Sequence, residues 1–74
     1  MVKIKALGWI AEKLGFRERE IHLNKPVKII DFLPLLNEIS EEHLIILVNN
    51  EPADKNTIIK NEDKIVLMPV VSGG

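Results

Sequence analysis

No cysteine occurs in the 74 residues. Its absence excludes disulfide staples, thiolate zinc sites and a catalytic thiol together. It also means that any sulfur this protein carries cannot reside on a side-chain thiol. Aromatics are reduced to Trp9, Phe16 and Phe32, so the core must be aliphatic. Neither charge sign dominates: the formal net charge is −1, with no basic field to recruit nucleic acid or an acidic membrane surface. The longest apolar runs, Leu44–Val48 and Ile65–Val71, fall far short of a transmembrane span. The first five residues, Met1-Val2-Lys3-Ile4-Lys5, have no signal-peptide core. The expectation is a cytoplasmic protein without nucleic-acid or membrane partners. Glycine is scarce as well, with four in the chain, and half of them are its last two residues.

What is present is enough for one domain near the lower size limit for a self-sufficient core, with a hydrophobic fraction of 46%. Val2, Ile4 and Ala6 alternate with Lys3 and Lys5, the pattern of a half-buried strand. Gly8 punctuates it, and Trp9 to Gly15 reads as a short helix closed by a glycine. Arg17 to Leu23 is a second strand with Ile21 and Leu23 inward, and Asn24-Lys25-Pro26 is a turn. Ile29, Phe32, Leu33, Leu36 and Ile39 form one stripe of an amphipathic helix. Pro34 is tolerable there if Asp31 is the N-cap, so the regular part is expected over 31–39, with a distorted start. Leu44–Val48 is a third strand and Asn49-Asn50-Glu51-Pro52 a turn. Residues 54–63 are loop-like, with Ile58 and Ile59 expected to plug the core. The last strand is apolar on both faces, which suits the middle of a sheet beside the first strand. One helix across a mixed sheet of about four strands is an α+β roll.

Side chains offer little catalytic equipment. His22 falls on the solvent face of a strand, and Glu41-Glu42-His43 presents neighbours whose side chains diverge rather than converge on a metal. No glycine pattern for phosphate is present, and Ser40 and Ser72 have no base near them in sequence. The chain is not expected to be an enzyme on its own, nor to bind a metal or cofactor in isolation. The C-terminus is different. Pro69 lacks an N–H and is expected to close the ladder of the last strand; Val70, Val71 and Ser72 then lead to Gly73-Gly74, and a Gly-Gly end lacks Cβ atoms and can enter a narrow channel. It presents one reactive group, the carboxylate of Gly74. As an anion at neutral pH this is a poor electrophile, so it must be activated to become an acyl donor, and adenylation by a partner holding ATP is the usual solution. The bland alternative is a frayed end whose glycines are incidental.

The residues carrying a family resemblance are Asn61-Glu62-Asp63-Lys64-Ile65-Val66-Leu67-Met68-Pro69-Val70-Val71-Ser72-Gly73-Gly74 and Leu47-Val48-Asn49-Asn50-Glu51-Pro52. Over its whole length the chain resembles the ubiquitin-like sulfur carriers, the MoaD/ThiS family. The segment Trp9 to Phe16 resembles the extra helix in the small subunit of molybdopterin synthase, which thiamine-pathway carriers replace with a hairpin. Two features depart from that subunit. Pro69 is followed by valine rather than a second proline, and the connection from Ile39 to Leu44 is short, as in the thiamine carriers.

The resemblance implies a β-grasp domain over 1–70 and a flexible tail over 71–74. It implies Gly74 as the site of adenylation and thiocarboxylate formation, with Gly73 and Ser72 giving clearance. The implied partners are a ubiquitin-activating-type adenylyltransferase that uses ATP and a large molybdopterin synthase subunit or another sulfur acceptor. A thiamine-pathway carrier, and a modifier joined to lysines through Gly74, are the alternatives. Counting back from Gly-Gly by resemblance to ubiquitin turns Ile65 and Leu67 inward. Leu47, Val66, Met68 and Val70 are then left as an exposed partner-binding patch near the tail.

Overall fold

The lysine-separated Val2, Ile4 and Ala6 become strand β1 (Val2–Ala6), all three buried with the lysines exposed. The computed structural model describes residues 1–71; the tail residues Ser72, Gly73 and Gly74 lie outside them. After β1 comes helix α1 (Gly8–Leu14), which buries Ile10 and Ala11 and ends on Gly15. Gly15 has a left-handed φ of 85°, and its N–H reaches Ala11 O at 2.9 Å, so the expected glycine cap is present. Strand β2 (Glu18–Ile21) is shorter than the 17–23 expected, although Leu23 beyond it is still buried. Then follow β3 (Val27–Lys28), α2 (Ile29–Phe32), two 3-10 turns (Pro34–Glu38 and Glu41–His43), β4 (Leu44–Val48), β5 (Glu51–Ala53), β6 (Ile58–Ile59) and β7 (Lys64–Pro69).

Among the described residues the main sheet has five strands in the order β2-β1-β7-β4-β5. Strand β7 is central, parallel to β1 and antiparallel to β4, and β1 pairs antiparallel with β2. This is the β-grasp arrangement, one strand wider than expected. The additional edge strand, β5, contains Pro52, which an edge tolerates because one side needs no N–H donor. Asn49 and Asn50, at φ 53° and 70°, form the two-residue turn joining it to β4, a geometry that asparagine accepts. A second, two-stranded sheet pairs β3 with β6. There Ile59 is fully buried, but Ile58 is 63% exposed, so only one of the two plugs the core. Alternation in a paired strand sends the other outward.

The helical segment over the sheet departs most from expectation. It is one α-turn, α2, broken at Leu33 (φ −128°, ψ 76°) and continued as a 3-10 turn from Pro34. A proline disfavours helical torsions in the residue before it, so Pro34 breaks the helix at Leu33 and starts the next turn itself. Asp31 therefore lies inside α2 rather than capping it; Lys28 holds the cap position, with no side-chain bond. The first amides of α2 are satisfied instead by the loop before β6, with Ile29 N–H donating to Thr57 O (3.0 Å) and Ile30 N–H to Lys55 O (2.9 Å). The stripe survives the break: Ile29, Leu33, Leu36 and Ile39 are buried and Phe32 is half-buried. They pack with Val2, Ile4, Ile46, Ile65 and Leu67 in one aliphatic core.

Candidate functional site

Strand β7 alternates as strand geometry requires, with Ile65 and Leu67 buried and Val66 and Met68 half-buried on the opposite, helix-free face. In β4, Leu44 and Ile46 point into the core and Ile45 and Leu47 point out. The register sets Leu47 opposite Val66 and Ile45 opposite Met68. The row through Val66 continues to Lys5 on one side and through Leu47 to Pro52 on the other. Thus Leu47, Val66 and Met68 share one surface, and Val70, 44% exposed, follows them on the same face by alternation. Two residues absent from the expected patch join it. Ile45, 37% exposed, belongs through its pairing with Met68, and Leu7, 38% exposed, continues the outward face of β1. The pairing of Ile45 with Met68 depends on the register, which the sequence alone does not give.

The start of β7 is held by a polar clasp. Asp63, 6% exposed, accepts bonds from the Lys60 N–H (2.8 Å) and the Asn49 side-chain amide (3.0 Å). Asn49 also joins the ladder, its amide oxygen accepting from the Lys64 N–H (3.0 Å) and its own N–H donating to Lys64 O (2.8 Å). Burial pushes the Asp63 carboxyl up, but the bonds from Lys60 and Asn49 and the Lys60 charge outweigh it. The pKa lies below its usual value. The two stretches carrying the sequence resemblance, the turn ending in Asp63 and the Val48-Asn49 turn, therefore meet in space.

The far end of β7 is the root of the tail. Leu7 N–H donates to Leu67 O (2.9 Å), the last bond on the β1 side. Strand amides point alternately to the two neighbours, so the next amide on that side would be that of Pro69, which has no N–H. The ladder was expected to close at Pro69, and on the β1 side it does. On the β4 side it runs one residue further, through Val70 N–H to His43 O at 3.1 Å. Val71 is then 83% exposed. The proposed acyl site Gly74 and its neighbours Gly73 and Ser72 lie beyond the described residues.

Other titratable side chains do not converge. His22 and His43 are exposed. Among the described residues no group of three or more His, Asp or Glu is placed to hold a metal, and no helix is long and apolar enough to cross a membrane. What the site offers is an apolar sheet face beside the exposed Val71, where the described residues end.

Structures with this fold have been solved from several sources. SAMP1 from Haloferax volcanii is 22% identical, with a TM-score of 0.70, and the match covers 99% of this chain and 98% of that one. Urm1 from Sulfolobus solfataricus is 18% identical, with a TM-score of 0.64 over 92% of this chain and 99% of that one. A complex of subunits 1 and 2 of the molybdopterin-converting factor from Helicobacter pylori contains a chain 24% identical, with a TM-score of 0.61 over 99% and 97%. At these identities the likeness is one of fold. No curated protein matches the chain significantly. The sequence profile of the ThiS family, however, matches residues 4–74, from β1 through the terminal glycines. The chain belongs to the ThiS family of ubiquitin-like sulfur carriers.

Proposed function

We propose that the chain carries sulfur as a thiocarboxylate on Gly74, acting with partner enzymes as the small subunit of a molybdopterin synthase. The observation that carries this reading is the path of β7: the central strand makes its last described sheet bond at Val70, Val71 is exposed, and the sequence that follows is Ser72-Gly73-Gly74. A rigid body thereby delivers one carboxylate on an arm with no side chains in its last two residues. In the proposed chemistry, a Gly74 carboxylate oxygen attacks the α-phosphorus of ATP held by the adenylyltransferase, forming the acyl-adenylate and releasing pyrophosphate. Hydrosulfide, or an equivalent supplied by a partner, then adds at the carbonyl carbon. The C–O bond to AMP breaks, and a thiocarboxylate, AMP and a proton result. Gly73 and Ser72 give clearance in the channel, and Leu47, Val66, Met68 and Val70 dock the body at its mouth.

The choice of pathway is supported by α1, since a helix after the first strand is the feature likened above to the molybdopterin subunit rather than to the thiamine carriers. The H. pylori structure, a complex of the two subunits of the converting factor, supports a larger subunit as acceptor. A second reading, conjugation of Gly74 to lysines of other proteins, is favoured by the likeness to a small archaeal modifier protein. Carrier and modifier share the activation step and part at the nucleophile. Intact mass of the protein isolated from cells separates them: a gain of about 16 Da, oxygen exchanged for sulfur, is expected for the carrier. Finding only higher-mass conjugates would replace the carrier by the modifier.

A further inference from the structure

Gly8 and Gly15 both sit at positive φ, 57° and 85°, but their surroundings differ. A Cβ on Gly15 would meet nothing within 4 Å. A Cβ on Gly8 would lie 3.0 Å from Pro69 Cγ and 3.4 Å from Pro69 Cδ. Gly15 is therefore a glycine for its torsion alone, whereas Gly8 is one for its torsion and for the proline ring packed on it. That ring belongs to the residue at which the tail leaves the β1 side of the sheet. One residue later the Val70 N–H is held by His43 O. The chain end is thus pinned from both neighbours at consecutive residues: by packing on Gly8, then by a hydrogen bond. Val71 to Gly74 follow in the sequence, and four residues reach at most about 14 Å, so where they start bounds where the Gly74 carboxylate can arrive.

From this geometry we infer that Gly8 is a positioning residue for the tail, acting through Pro69 to set where and in which direction the reactive arm leaves the sheet. This rests on the carrier reading above, or on the modifier reading, since both require Gly74 to reach a partner's active site. A side chain at residue 8 pushes the proline ring outward and re-aims the arm from Val70 onward, while leaving Leu47, Val66 and Met68 of the docking face in place. Misplacement of a reacting group by about an ångström lowers rates by up to roughly a hundredfold without weakening the initial encounter. The expected signature is therefore a fall in kcat with KM preserved.

The experiment uses the full-length chain with a ubiquitin-activating-type adenylyltransferase and ATP, read as pyrophosphate exchange. Amide hydrogen exchange of the free chain is measured in parallel. Gly8→Ala is expected to lower kcat about 10- to 100-fold with KM within about threefold, and to speed exchange at the Val70 amide relative to the Leu67 amide. Gly15→Ala suffers a comparable backbone penalty with no contact and is expected to change neither. In a Pro69→Ala background, where the ring is gone, Gly8→Ala should cost less than about threefold. If Gly8→Ala does not fold, Gly8→Asn carries the same Cβ on a residue that accepts left-handed torsions. Equal losses from the Gly8 and Gly15 variants, or an unchanged cost in the Pro69→Ala background, would overturn the inference. If the wild-type chain is not activated at all, the carrier and modifier readings fall, and the positioning role falls with them. Val70 exchange tests the contact itself without any partner, so the two failures are told apart.

Discussion

Replacing Asp63 by alanine tests whether a buried carboxylate holds the turn that launches β7. The substitution removes the acceptor of the Lys60 N–H (2.8 Å) and of the Asn49 amide (3.0 Å). Hydrogen bonds to a charged group are worth about 1.5–3 kcal/mol each. The Asn49 amide can turn to water once freed, so it counts at the low end. The Lys60 ammonium, 3.5 Å away on a side chain 72% exposed, adds little through solvent. The expected loss is about 2–4 kcal/mol, against roughly 4–11 kcal/mol for a whole domain of this size. Thermal melting should fall by about 10–25 °C. Asp63→Asn keeps the shape and one acceptor, and should cost about half as much.

The same carboxylate predicts a pH dependence. Its folded pKa is lowered, so the native state binds this proton less readily than the unfolded chain. Its contribution is complete above the unfolded value, near 3.9, and is lost as pH falls through the lower folded value. Urea denaturation at neutral pH and across the acid limb reads both effects, and Asp63→Asn should flatten part of that limb. An alanine variant within about 0.5 kcal/mol of wild type, or an asparagine variant with an unaltered acid slope, would refute the clasp.

Leu36, with 0% exposure, should cost about 2–5 kcal/mol on truncation to alanine in chemical denaturation; a loss well under 1 kcal/mol would mean the segment after Pro34 is not core. Leu47→Asp and Met68→Asp should weaken calorimetric binding to the adenylyltransferase and the acceptor subunit about tenfold or more with the fold retained, and unchanged binding would remove the patch. Deleting Gly74, or capping its carboxylate as an amide, should abolish ATP-dependent activation with an unchanged circular-dichroism spectrum. Normal adenylation of the truncated chain would end the carrier and modifier readings together. Gly73→Val should block activation by bulk with no change in melting temperature, and a melting shift matching the activity loss would point to stability instead.

Elements whose signals are local were legible before the structure. The alternation in Val2–Ala6, the glycine after α1 and the apolar runs of β4 and β7 each depend on residues a few positions apart. The period of two paired Val66 with Met68 and Ile65 with Leu67, but both sets are apolar, and it was the resemblance to ubiquitin, counted back from Gly-Gly, that turned Val66 and Met68, and with them Leu47, outward. Less legible were features in which a local signal has two outcomes. Pro52 reads as a turn residue but lies in an edge strand, whose outer side needs no amide. Pro34 reads as compatible with a helix capped by Asp31, but its constraint on Leu33 split the helix while leaving the apolar stripe where the core required it.

The sequence by itself determined which face of β1 is apolar, that the last strand suits the centre of the sheet, and that Gly73-Gly74 follow it in a chain without a thiol. These follow from side-chain chemistry and from the order of residues along the backbone. Only the tertiary structure decided the pairings between distant segments: Asn49 on Asp63, Ile45 beside Met68, and Gly8 beneath Pro69. Each joins residues at least 14 positions apart, and which of them meet depends on sheet order and register. Those are set by how the whole aliphatic core packs against the broken helix, a balance summed over many contacts that no single stretch of sequence encodes.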